Sequence, residues 1–209
     1  MPGRDAVSPR EVIGVFAKAP VPGVVKTRLA AAIGSEAAAE LYRRLGQRVV
    51  SAAAASRRAV VWYAPPGRRV AVTGWLDGVR GIAYRAQPAG SLGRRLETAF
   101  AWHFAHGAGR VVIVGTDCPG VGRSVLARAF RALRSADVVL GPALDGGYYL
   151  IGLTAPHPEL FRRVAWSTGL VLRATRARAR ALGLSCRVLD LLRDVDTAND
   201  ARALGLLPG

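Results

Sequence analysis

Short continuous apolar runs alternate along this chain with segments whose apolar residues recur every three or four positions. Residues 12–16, 59–63, 111–114 and 148–153 are apolar runs closed by Gly, Pro or Asp, the pattern of strands covered on both faces. Residues 82–85, 137–140 and 187–189 read as further strands. Between them, Leu41, Leu45 and Val49 recur at four-residue spacing after Ser35, which is suited to an N-cap. Leu96, Phe100 and Phe104 mark a second amphipathic helix, and Leu126, Phe130 and Leu133 a third. Helices are also expected over residues 168–182 and after Thr197, where Thr197 and Asp200 have the spacing of a capping box. Strand–helix alternation from end to end predicts a three-layer, Rossmann-like α/β/α fold with a largely parallel sheet. Neither a repeat nor a long linker divides the chain, so residues 1–209 are expected to form one domain.

Composition narrows the class. Apolar residues make up 51% of the 209, but none of the runs approaches the roughly 20 residues of a membrane span. Residues 1–8 carry charge and proline rather than the apolar centre of a secretion signal. Cys118 and Cys186 form no C-x-x-C pair and no disulfide framework, which together with the rest predicts a cytoplasmic protein. The formal charge of +16 raises the question of nucleic acid. Its arginines are scattered in pairs such as Arg43-Arg44 and Arg57-Arg58, and no nucleic-acid motif accompanies them, so solvated faces are the simpler reading and nucleic acid is not the expected partner. Of 30 basic residues only Lys18 and Lys26 are lysine, and both fall in one Pro/Gly-rich segment after the first strand.

In open α/β sheets ligands bind beyond the carboxyl ends of strands. Three strand-end loops here carry residues suited to phosphate and metal. The loop of residues 18–28 offers two lysines and a glycine before a helix; it is not a Walker A loop, because Val25 precedes Lys26. Asp117 follows a buried strand and is placed to hold Mg²⁺ or Mn²⁺, or else to initiate a turn before Pro119. Asp145-Gly146-Gly147 supplies a second carboxylate, and Asp-Gly is equally a hairpin signal. Asp145 is the best candidate for a general base. His103 and Cys118 read as buried structural groups, and Arg173, Arg176 and Arg180 as a solvated helix face. Asp194 and Asp196 suggest metal, although the capping arrangement at Asp200 explains part of that cluster.

Several stretches together resemble one family. They are Phe16-Ala17-Lys18-Ala19-Pro20-Val21-Pro22-Gly23 with Lys26-Thr27-Arg28-Leu29, Gly115-Thr116-Asp117-Cys118-Pro119, residues 141–152, Trp166-Ser167-Thr168 and Asp194-Val195-Asp196-Thr197. In this order they resemble bacterial proteins of the GT-A superfamily, of the arsenosugar-biosynthesis-type glycosyltransferase family. The resemblance implies a nucleotide-diphospho-sugar transferase fold, mixed and mostly parallel with one antiparallel strand. It implies that Ala17, Lys18, Pro22, Gly23, Lys26, Thr27 and Arg28, with Gln87, Gly93 and Thr116, bind nucleotide. It makes Asp117 the metal-binding and catalytic carboxylate, Asp145 a second catalytic residue, and Gly146, Gly147, Tyr148, Trp166 and Ser167 the acceptor or sugar side. Ser91 stands where the family pattern has Asp, and Gly169 where an acidic residue usually follows Trp-Ser-Thr. The expected activity is metal-dependent glycosyl transfer from a nucleotide sugar to a small-molecule acceptor. The alternatives are nucleotidyl transfer from a nucleoside triphosphate with release of pyrophosphate, and non-catalytic nucleotide or RNA binding.

Overall fold

The computed structural model describes residues 10–207; the reading of residues 1–8 lies outside it. Its strands are β1 (Glu11–Lys18), β2 (Arg58–Ala64), β3 (Ile82–Ala86), β4 (Arg110–Gly115), β5 (Val138–Pro142), β6 (Tyr148–Leu153) and β7 (Cys186–Val188). They form one sheet in the order β3-β2-β1-β4-β6-β5-β7. β6 alone runs antiparallel, pairing with β4 and β5, and all other pairings are parallel. The fold is therefore the largely parallel α/β sheet that the chain pattern predicts, with the one antiparallel strand that the family resemblance implies.

The helices are α1 (Thr27–Ile33), α2 (Ser35–Ser56), α3 (Arg69–Trp75), α4 (Leu92–Ala105), α5 (Arg123–Ala132), α6 (Val171–Ala181) and α7 (Ala198–Ala203). One face of the sheet packs Ile13, Val15, Val61 and Val112 against α2 and α5 residues such as Val49, Val50 and Phe130. The opposite face packs Val60, Trp62, Val111 and Ile113 against Leu96 and Phe100 of α4 and Ala179 of α6. Adjacent strand residues fall in opposite clusters because side chains alternate across a sheet.

One local expectation needs correction, and one helix was not anticipated. Ser35 is not an N-cap: Gly34, with φ 86°, occupies that position without a side-chain cap, and Ser35 is already helical. The chain turns from α1 directly into α2, and only glycine takes that backbone conformation without steric cost. The short helix α3 has too few turns to display a period in the sequence. It is held instead by tertiary contact, because Trp75 lies against Gly46 of α2 and donates its indole N–H to the Arg43 carbonyl at 3.1 Å.

A third apolar cluster positions the site. Leu29 of α1, Leu41 and Leu45 of α2, and Val195, Ala198 and Ala201 around α7 pack together. This contact carries the C-terminal segment back across the head of α1. Val195 N donates to the Asp117 carbonyl at 2.9 Å, so that segment also ties to the loop after β4. The capping box expected at Thr197 and Asp200 is present and starts α7.

Candidate functional site

The strand order reverses between β1 and β4, whose following loops diverge and leave a crevice above their carboxyl ends. That crevice is a cleft of about 630 Å³. Lys18 ends β1 on its rim, and Thr116 and Asp117 follow β4 directly. Tyr42 of α2 fixes this junction. Its hydroxyl accepts from Lys18 N at 2.8 Å and from Thr116 Oγ1 at 3.0 Å, and burial together with the Asp117 charge pushes its pKa up.

Lys26 is the electrostatic centre. Its side chain is only 5% exposed, and Nζ lies 2.6 Å from Asp117 Oδ1 and 2.9 Å from Asp196 Oδ1. Burial by itself lowers the ammonium pKa, but the paired Asp117 and Asp196 charges outweigh it and raise the value above that of an ordinary lysine. The contact to Asp196 is a directed hydrogen bond, whereas the one to Asp117 Oδ1 is a close ion pair with less favourable hydrogen-bond angles. Lys26 also has a left-handed backbone (φ 51°), uncommon for a residue with a side chain, as has Ser167 across the cleft (φ 64°). Strained backbone of this kind tends to accumulate at binding sites, where surrounding packing enforces it.

Four carboxylates line the cleft: Asp117, Asp145, Asp194 and Asp196. Burial pushes the Asp194 carboxyl up, and the charges of Asp196 and Asp145 add to that effect against Lys26. Asp145 sits in the β5–β6 connection, where its Oδ1 accepts from Gly147 N at 2.7 Å. The Asp-Gly-Gly segment is thus both the hairpin turn and part of the cleft wall.

At the other end Tyr148 and Trp166 meet edge-on, with ring centroids 6.4 Å apart at 83°. The Tyr148 hydroxyl is buried without a hydrogen bond, and burial pushes its pKa up. Cys118 is a buried thiol pushed up to about 11 by burial, so it is protonated and inert at neutral pH.

Of the residues singled out in the sequence, Ala17, Lys18, Lys26, Thr27, Arg28, Gln87, Thr116 and Asp117 line the cleft on one side. Asp145, Gly147, Tyr148, Trp166 and Ser167 line it on the other. Four residues do not. Pro22 and Gly23 form an exposed turn beside the cleft. Gly93 is buried inside α4, where a Cβ would lie 2.6 Å from Trp166 Nε1, so its role is to admit that ring. Gly146 packs against the backbone of Gly169. Ser91, the first departure from the family pattern, caps α4 by accepting from Arg94 N at 3.3 Å, a task that Asp performs equally well.

Sequence reasoning missed Tyr42 and Arg95 as cleft residues, and it raised Asp194 and Asp196 as a metal cluster without assigning them to the site. The repeated acidic pattern around Asp196 was a signal; nothing in the helical periodicity distinguishes Tyr42 from its apolar neighbours.

Fold and cleft together define a protein with the architecture of the nucleotide-diphospho-sugar transferases and cytidylyltransferases. The chain belongs to the family described as "Uncharacterized protein conserved in bacteria (DUF2064)", whose model matches residues 47–168. It is similar to a proposed nucleotide-diphospho-sugar transferase from Desulfovibrio desulfuricans G20, with 32% identity and a TM-score of 0.87 over 93% of this chain and 85% of that one. Two more distant structures share the fold. Rv0371C from Mycobacterium tuberculosis H37Rv, in complex with manganese, has 19% identity and a TM-score of 0.52 over 92% of this chain and 97% of that one. CMP:2-keto-3-deoxy-manno-octonic acid synthetase, complexed with CTP, has 12% identity and a TM-score of 0.54 over 93% and 96%. No curated protein matches the sequence. Among the described residues no helix is long and apolar enough to cross a membrane.

Proposed function

We propose that this chain works as one transferase domain in the cytoplasm, moving a sugar from a nucleotide-diphosphate donor to a small-molecule acceptor. The observation that carries this reading is the meeting of Lys26, Asp117 and Asp196 at the switch point, with Tyr148 and Trp166 forming the facing wall. The motif resemblance to arsenosugar-type glycosyltransferases and the name of the 32%-identical relative support glycosyl transfer.

Among the described residues no group of three metal-binding side chains exists. Two carboxylates suffice for Mg²⁺ or Mn²⁺, which usually complete their coordination with water and substrate phosphates. Asp117 and Asp196 fit that demand: both already face one cation, the Lys26 ammonium, across the same end of the cleft. A bound metal there would neutralise charge on the leaving diphosphate. The remaining work falls to the protein. Lys18 and Arg28 on the cleft wall attract the phosphates, and Thr27 adds a hydroxyl at the head of α1. The Trp166 ring, backed by Gly93, offers a flat face to a sugar, and Asp145 is placed to accept a proton from the acceptor hydroxyl.

A second reading, nucleotidyl transfer from a triphosphate, is favoured by the concentration of Lys18, Lys26 and Arg28 on one side of the cleft, more cationic groups than a diphosphate requires. Product analysis separates the two. Nucleoside diphosphate released from a nucleotide sugar supports glycosyl transfer, and pyrophosphate released from a triphosphate supports the second. Metal-independent turnover, or full activity in Asp117→Ala, would remove the metal from either scheme.

A further inference from the structure

Gln87 follows β3 and is 5% exposed. Its amide nitrogen donates to the Trp62 carbonyl at 2.7 Å and the Ala17 carbonyl at 3.4 Å. Carbonyl oxygens only accept, so these two partners fix which end of the amide is nitrogen and commit both of its hydrogens. Gln87 therefore has no donor left for a ligand. Its Oε1 faces the other way, 3.5 Å from Nη1 of Arg95.

Arg95 lies in the first turns of α4, between Leu92 and Leu96, and all three line the cleft. Among the described residues it makes no ion pair. Its Nε is buried with no hydrogen-bond partner, a costly state for a charged group unless a ligand completes it. The cleft lining thus includes two groups of different kinds. One holds Lys26 with Asp117 and Asp196 and suits phosphate. The other, taken below as the slot for a base, comprises the apolar Phe16, Leu92 and Leu96 of the lining with the donor-only fork of Arg95.

Resting on the nucleotide reading above, we propose that Arg95, oriented by Gln87, selects the nucleobase. A guanidinium offers parallel donors and no acceptor. It matches a base edge with two adjacent acceptors, O6 and N7 of guanine or O2 and N3 of cytosine. Adenine sets an amino donor beside N7, and uracil sets an N–H between its two carbonyls, so both leave a guanidinium hydrogen unpaired or opposed. Gln87 is a positioning residue: its oxygen holds the fork so that the remaining donors face the slot.

The test is equilibrium binding of GTP, CTP, UTP and ATP, each with Mg²⁺, to the native chain and to Arg95→Ala and Arg95→Lys. The native chain is expected to bind GTP or CTP roughly ten-fold or more tightly than ATP and UTP, the span of one good bidentate contact. Which of the two leads identifies the edge that is read. Arg95→Ala should bring all four within about three-fold by weakening the preferred nucleotide, and Arg95→Lys, a point charge without the fork, should lose most of the preference too. A preference that survives Arg95→Ala, an equal loss for all four nucleotides, or native selection of ATP or UTP overturns the assignment while leaving nucleotide binding standing. Failure of the native chain to bind any nucleotide overturns the nucleotide reading itself, and this inference with it.

Discussion

Trp62 donates its indole N–H to Nε2 of His103 at 3.0 Å in the interior, which requires that nitrogen to be unprotonated. Burial, helped by the nearby charges of His106, Arg85 and Arg58, lowers the His103 pKa to about 4 from its ordinary 6.5. The unfolded chain takes up this proton below 6.5 and the native one only below about 4. The resulting stability is full above pH 6.5 and is lost as pH falls through that window, amounting to about 3 kcal/mol. Denaturant titrations from pH 7 to 4 should show this decline, and His103→Gln should flatten it. Lys26 and Lys18 separate at the same scale. Lys26 is buried at the head of α1 and Lys18 exposed, so Lys26→Ala should weaken nucleotide binding roughly ten- to hundred-fold, as loss of one charged hydrogen bond does, and Lys18→Ala by less. Equal effects in binding titrations would contradict this geometry.

Packing between elements reverses an ordinary helix rule at Gly46. Glycine inside a helix costs about 1 kcal/mol relative to alanine. Here a Cβ would lie 2.6 Å from the Trp75 ring, so Gly46→Ala must displace α3 or rotate its tryptophan. The substitution is expected to destabilise by about 1–3 kcal/mol, read as a lowered denaturation midpoint; a stabilised variant would mean that α3 is not seated there. At α4, removing the cap with Ser91→Ala should cost about 1 kcal/mol, and Ser91→Asp should cost nothing.

Over the whole molecule, a nucleotide bound as proposed would join the loops after β1 and β4 and the segment before α7, so binding should stabilise the complete fold. A nucleotide with Mn²⁺ at about a hundred times its Kd should add about 2.7 kcal/mol, and Asp117→Ala should lose the metal-dependent part. An unchanged melting temperature with every nucleotide sugar and triphosphate would count against the proposed function. The +16 charge belongs to this scale as well. Arg173, Arg176 and Arg180 are exposed along α6, and such scattered charge should give weak RNA binding that disappears with moderate salt, while nucleotide binding in the cleft persists.

The sequence by itself determined the elements and their class. Short apolar runs closed by Gly, Pro or Asp are too brief for buried helices and fit covered strands, and four-residue spacing buries one side of a helix, so pattern and length located β1, β2, β4, β6, α2, α4 and α5 without tertiary information. Asp117 and Lys26 were legible because strand ends and lysines are rare and local. The tertiary structure alone decided that Asp196, 170 positions from Lys26, shares its ammonium, because that contact depends on Val195 and Ala198 packing on Leu29 and Leu41. It also decided that Gln87 spends its donors on the main chain of β1 and β2 and turns its oxygen to Arg95. Hydrogen bonds between distant segments follow from where the sheet places those segments, and chain order leaves no periodic trace of that placement.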